Sequence, residues 1–146
     1  MGTIASIEVK ATITNEVEFI AQENGIRCDL NAHTLKVTAD SIASSFNTLN
    51  RTITLVLDTN ATTGNFSYGV PGAPLTAVNY STSRRDLTNN TPLHTDNFNA
   101  DDGAIELTVS PDKRHFLIKA NLNAMDPQTG RSTTIGLTSN IFLHVI

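Results

Sequence analysis

In Ile105-Glu106-Leu107-Thr108-Val109, Ser110-Pro111-Asp112-Lys113-Arg114 and Phe116-Leu117-Ile118-Lys119-Ala120-Asn121-Leu122, two alternating stretches flank a break rich in turn formers. A period of two places successive side chains on opposite faces of extended backbone, so each stretch reads as a strand with one dry face. The break between them reads as the tip of a hairpin. The same rhythm occurs in Ile7-Glu8-Val9-Lys10-Ala11-Thr12-Ile13 and in Ile53-Thr54-Leu55-Val56-Leu57. It recurs from end to end and leaves little room for helices. The fold class is therefore all-β, a single domain over residues 1–146. About nine to eleven short antiparallel strands form a β-barrel or a two-sheet β-sandwich. Parallel pairing is disfavoured because helical crossovers are missing.

Composition agrees. The chain has 146 residues, 39% of them hydrophobic and 16% charged. That charge content is below the roughly one quarter usual in globular domains. The difference is taken up by 15 Asn, 10 Ser and 21 Thr. Threonine suits wet strand positions, and asparagine and serine suit turns. Low charge with many hydroxyls and amides points to an extracellular or cell-envelope setting rather than the cytoplasm. The net charge of −4 supplies no basic stripe, so nucleic acid is an unsuitable partner. No apolar run reaches the length of a membrane-spanning helix.

Along the chain, strands are expected at about 4–14 and at Val17-Phe19-Ala21. Asn24-Gly25 then predicts a tight turn, because both residues tolerate positive φ. Ile26, Cys28 and Leu30 would return beside it, making 17–31 a hairpin. Cys28, the single cysteine, stands in phase with Ile26 and Leu30 and reads as a buried small hydrophobe. A turn near Asn31-Ala32-His33 leads into Leu35, Val37 and Ala39. Residues 40–50 read either as a short helical turn capped by Asp40 or as a loop. Between Gly64 and Asp102 the glycines and prolines multiply. Residues 83–102 read as a long irregular loop, a class that is usually functional or mobile. The final apolar residues, Ile141 to Ile146, are expected to pair within a sheet, since such an edge left open invites aggregation.

Few motifs carry chemistry. The four histidines lack zinc spacing, so no metal is expected. Asn97-Phe98-Asn99-Ala100-Asp101-Asp102-Gly103 resembles a calcium loop only loosely: its glycine falls late and Glu106 misses the closing position. Asp101 and Asp102, if extended, point to opposite sides and do not make an acid–base pair. No nucleophile elbow and no phosphate-cradling glycine loop occur, so neither an enzyme nor a cofactor is expected. The five Asn-x-Ser/Thr sequences, beginning at Asn50, Asn60, Asn65, Asn79 and Asn89, are close to what this composition produces by chance. What remains is Tyr68, Tyr80, Arg84, Arg85, His94 and Asp96 around the irregular middle. Tyrosine offers a stacking face with a hydroxyl and arginine a bidentate fork, so these six are the candidate ligand-binding residues.

Four stretches resemble small bacterial envelope β proteins of uncharacterised function. They are Leu35-Lys36-Val37-Thr38-Ala39, Thr52-Ile53-Thr54-Leu55-Val56-Leu57, Thr63-Gly64-Asn65-Phe66-Ser67-Tyr68-Gly69 and Gly103-Ala104-Ile105-Glu106-Leu107-Thr108-Val109. The resemblance spans residues 17–146 and implies a closed or sandwich-like antiparallel sheet in the envelope. It implies no activity and no site residues. The expected function is a non-catalytic binding or interaction module, contacting a small ligand or a protein partner through the 64–102 region on a rigid scaffold. The alternative is a structural subunit of a surface or homo-oligomeric assembly that buries a sheet edge; an enzyme of unknown class, which would need a polar cleft with convergent titratable groups, is the third reading.

Overall fold

The structure, a computed structural model, describes residues 3–14, 18–21, 25–31, 33–42, 49–86 and 91–145; at 3–5, 41–42, 49–50, 83–86, 91–95 and 144–145 it describes the backbone alone. Ten strands appear among these residues: β1 (Thr3–Ile13), β2 (Phe19–Ile20), β3 (Ile26–Asn31), β4 (Thr34–Ile42), β5 (Leu49–Asp58), β6 (Gly64–Tyr68), β7 (Leu75–Asp86), β8 (Thr91–Val109), β9 (His115–Met125) and β10 (Ser132–Val145). All pair antiparallel in one sheet of order β2-β1-β10-β9-β8-β7-β5-β4-β3, with β6 beside β8. The sheet curls into a half-barrel. No helix among the described residues is long and apolar enough to cross a membrane.

The alternation does what its period requires. Along β9, Phe116, Ile118, Ala120, Leu122 and Ala124 are buried while Lys119, Asn121 and Asn123 face water. Facing them are Val9, Ala11 and Ile13 of β1, Leu35 and Val37 of β4, Ile53, Leu55 and Leu57 of β5, and Ile135, Leu137 and Ile141 of β10. Burying one such side chain contributes roughly 1.5–3 kcal/mol, and their sum is what holds the curl together. Ser139 is the polar exception on β10. It is fully buried and donates from Oγ to the Glu8 carbonyl at 2.9 Å, so its hydroxyl is satisfied. The C-terminal strand pairs with β1 as far as Thr3↔Val145, which covers the apolar end.

Three expectations are corrected. First, the hairpin expected over 17–31 is not found among the described residues. β2 pairs with β1, through Lys10↔Ile20 and Ala11↔Phe19, and β3 pairs with β4. The chain between them joins opposite ends of the sheet. Asn24 lies outside the described residues, and Gly25 stands against Asp40 of β4. A glycine is needed there: a Cβ would stand 2.8 Å from the Asp40 carbonyl oxygen.

Second, 83–102 is mostly strand. β7 runs on to Asp86 and β8 begins at Thr91, with residues 87–90 outside the described residues, Tyr80 opposite Phe98 and Thr82 opposite Asp96. The alternation is masked by bulges, which shift the phase by one residue. Asp101 is the extra residue between Ala100↔Ala124 and Asp102↔Asn123. Phe98 and Ile105 can therefore both face inward although their numbers differ in parity. The same bulge explains the fate of the calcium-like segment, which bends a strand rather than looping. Gly103 has φ +142°, and a Cβ on it would fall 2.2 Å from the Asn121 carbonyl oxygen.

Third, Cys28 is exposed. It does sit on the core-facing side of β3, opposite Val37, but nothing among the described residues covers that side of the edge strand. Of the ambiguous 40–50 segment, β4 extends to Ile42 and β5 starts at Leu49; residues 43–48 lie outside the described residues.

Candidate functional site

The candidate residues of the 64–102 region are placed by β6, β7 and β8. Tyr68 ends β6 opposite Gly103, and its hydroxyl accepts a 3.0 Å hydrogen bond from the Val78 amide. Burial pushes its pKa above the ordinary 10.0; the Val78 bond opposes that shift and the Asp101 charge adds to it. Tyr80 is fully buried, stacked 6.3 Å from Phe98 with the rings 17° apart. Both tyrosines thus spend their hydroxyls inside the fold. Asp96 receives Arg131 Nη1 on both oxygens, at 3.2 and 3.3 Å, and Thr82 Oγ1 at 3.4 Å. The Arg131 guanidinium also lies 5.9 Å from the Phe98 ring centroid. Arg84 pairs with His94 through the backbone, and Arg85 with Pro92; their side chains lie outside the described residues. The structure brings Tyr80, Thr82 and Asp96 into one neighbourhood, where they serve packing and pairing.

That neighbourhood includes a residue the sequence reading passed over. Arg51 stands on the core face of β5, in phase with Ile53, Leu55 and Leu57, and is only 8% exposed. Its Nε donates to the Tyr80 hydroxyl at 2.8 Å and its Nη1 to the Glu18 carbonyl at 3.5 Å. The guanidinium lies 5.4 Å from the centroid of Phe19 and 5.7 Å from that of Tyr80. An arginine in phase with three core aliphatics was the available signal. Its planar, delocalised charge suits such a place better than a lysine ammonium would.

The feature that faces outward is the seam between the two ends of the curled sheet, which no strand among the described residues bridges. β1 has a second neighbour only at Lys10 and Ala11, so its outer edge from Thr3 to Glu8 has no strand beside it among the described residues. The Val9 carbonyl accepts from Ala21 on that side. Backbone polar groups alternate sides along a strand, so the amide and carbonyl of Ile7 point the same way. At the other end, β3 has β4 on one side and no strand among the described residues on the other. The Asn31↔Thr34 pair closes a two-residue connection, so Asn31, Asp29 and Arg27 exchange bonds with β4. Ile26, Cys28 and Leu30 then direct their amides and carbonyls away from the sheet.

A groove of about 830 Å3 lies at this seam, lined by apolar side chains, Ile7, Val9, Ile20, Ile26, Cys28 and Phe142 among them, and by the polar Ser6, Glu8, Lys10 and Asn140. Ile20, Leu30 and Phe142, which belong to the strands around it, are 53%, 41% and 42% exposed. The Phe142 ring stacks on His115 at 4.0 Å, and His115 Nε2 lies 3.2 Å from Asn140 Oδ1, which steadies this wall. The groove therefore combines apolar side chains with two rows of outward-pointing backbone groups. Such a surface can accept an extended chain, with backbone bonds supplying affinity and alternate side chains supplying selectivity.

The remaining perturbed carboxylates hold turns. Asp126 is pulled below its ordinary 3.8 chiefly by the Gln128 amide at 2.8 Å, with the Asn97 amide at 3.3 Å and Thr129 assisting against the cost of burial. Asp112 is lowered by the Ser110 hydroxyl first and the Arg114 amide second, at the tip between β8 and β9. Comparison with protein-family models, curated proteins and solved structures finds no match to this chain.

Proposed function

We propose that this protein is a non-catalytic interaction module that binds an extended segment by strand addition at the open seam. The observation that supports the reading is the pair of strand edges, on β1 and β3, that have no strand beside them among the described residues and flank a groove of mixed apolar and polar lining. An uncovered edge beside exposed apolar side chains is a liability unless something pairs with it. Tyr68, Tyr80 and Asp96, whose polar groups are engaged within the fold, act in this reading as scaffold rather than as contacts. An envelope or extracellular setting accompanies it, supported by the low charge and the abundance of threonine and asparagine.

The test is selection of peptides from a displayed random library against the native chain, followed by backbone amide mapping. Bound peptides are expected to shift the amides of β1 and β3. Cys28→Pro, which removes one outward-facing donor while sparing the β4 bonds, is expected to abolish binding. Peptides that map elsewhere, or that bind the C28P chain unchanged, would contradict the proposal.

A further inference from the structure

The sequence of β3 is complementary to itself. Written antiparallel about Cys28, Ile26-Arg27-Cys28-Asp29-Leu30 sets Ile26 opposite Leu30 of a second copy, Arg27 opposite its Asp29, and Cys28 opposite its Cys28. The sequence thus carries a local two-fold axis of chemistry. Every residue from Arg27 to Asn31 is exposed, so the edge is approachable. Among the described residues Arg27 reaches Asp40, at 3.4 Å and with its side chain 72% exposed, so most of the guanidinium faces solvent.

We infer that the occupant of the β3 edge is β3 of a second copy of this chain, paired antiparallel about a two-fold axis through Cys28. The inference rests on the strand-addition reading above and names its partner. The backbone fits. Ile26, Cys28 and Leu30 are the residues whose amides and carbonyls point outward, so the pairs 26↔30, 28↔28 and 30↔26 are the ones that exchange hydrogen bonds. The 27↔29 pairs fall at the closer, non-hydrogen-bonded positions, where opposite charges interact best. The faces fit as well. The charged pairs lie on the outer side, and Ile26, Cys28 and Leu30 of both copies meet on the apolar side. A two-fold contact of this kind is isologous and closes after two subunits, so it uses up the edge instead of propagating a fibre.

The symmetry gives a discriminating test by sedimentation of the full chain over a range of concentrations. The native chain is expected to pass from monomer to dimer. Asp29→Arg sets arginine against arginine at both charged pairs, and Arg27→Asp sets aspartate against aspartate at both. Each is therefore expected to weaken the dimer by at least about tenfold. The double variant R27D/D29R restores opposite charges and is expected to dimerise like the native chain. An equimolar mixture of the two single variants is expected to form a heterodimer that neither makes alone. Circular dichroism on each variant checks that the fold is retained, and D29R alters neither partner of the Arg27–Asp40 contact.

A dimer indifferent to these exchanges would overturn the inference. So would a native chain that stays monomeric at every concentration. If that monomer still binds a selected peptide at the seam, the interaction-module reading survives with a foreign segment as the occupant; if it binds none, both fail together.

Discussion

Arg51 donates from Nε to the hydroxyl of Tyr80 at 2.8 Å, on the buried face of the sheet. The bond joins β5 to β7 and anchors a guanidinium that also lies near the rings of Phe19 and Tyr80. Tyr80→Phe keeps the ring and removes the acceptor. It is expected to destabilise the chain by about 1–3 kcal/mol, the cost of withdrawing one partner from a buried charged donor. Urea denaturation at unchanged slope is the measurement. A cost near zero would mean that the hydroxyl contributes nothing to holding Arg51.

Gly103 opposes a different kind of change. Alanine there requires both an unfavourable φ of +142° and a Cβ 2.2 Å from the backbone oxygen of Asn121, which has no side-chain freedom to yield. Gly103→Ala is expected to lose about 3 kcal/mol or more, strain and overlap together. Gly136→Ala, whose added Cβ meets nothing closer than 3.6 Å, is expected to change stability by less than about 1 kcal/mol. Thermal melts of the two variants side by side decide the point.

Asp126 sets part of the acid limit. Its pKa is lower in the folded state than the ordinary 3.8, because the amides of Gln128 and Asn97 and the contacts of Thr129 favour the carboxylate. The unfolded chain therefore binds the proton more readily, so this contribution is fully present above pH 3.8 and is lost as pH falls through the lower folded value. Asp126→Asn is expected to lower stability at neutral pH and to flatten its decline below that point. Parallel acid dependence in the native chain and the variant would contradict this account.

How far the sequence discloses this structure depends on where a residue sits in the sheet. In β9 the alternation from Phe116 to Ala124 maps directly onto burial, because a strand with neighbours on both sides has its register imposed by one dry face. Bulges defeat the same reading in β8. One extra residue, Asp101, reverses the phase between Phe98 and Ile105, and the segment then reads as a loop. The hairpin read from Asn24-Gly25 gives way to long-range pairing, since Phe19 finds its place beside Ala11 and β3 pairs with β4. Cys28 has the correct face but the wrong environment, because exposure at an edge depends on what lies across the seam and not on phase. Arg51 shows the reverse, a charged residue whose phase alone marked it as interior. The seam itself is invisible to periodicity: it follows from which strands, among the described residues, stand at the two ends of the pairing order.

Cys28 reports the openness of the seam chemically. It is exposed on the apolar side of the edge strand, so an aromatic disulfide reagent is expected to titrate one thiol per chain in dilute native protein, without denaturant. Reaction only after unfolding would indicate that this edge is covered within a single chain.

The central claim is that β3 is an open edge which a second chain closes, and backbone amide exchange tests it most directly. The amides of Ile26, Cys28 and Leu30 are expected to exchange rapidly in dilute protein and to slow as concentration rises, while those of Phe116, Ile118 and Ala120 stay protected throughout. Protection of the β3 amides at every dilution, or their rapid exchange at every concentration, would contradict the account.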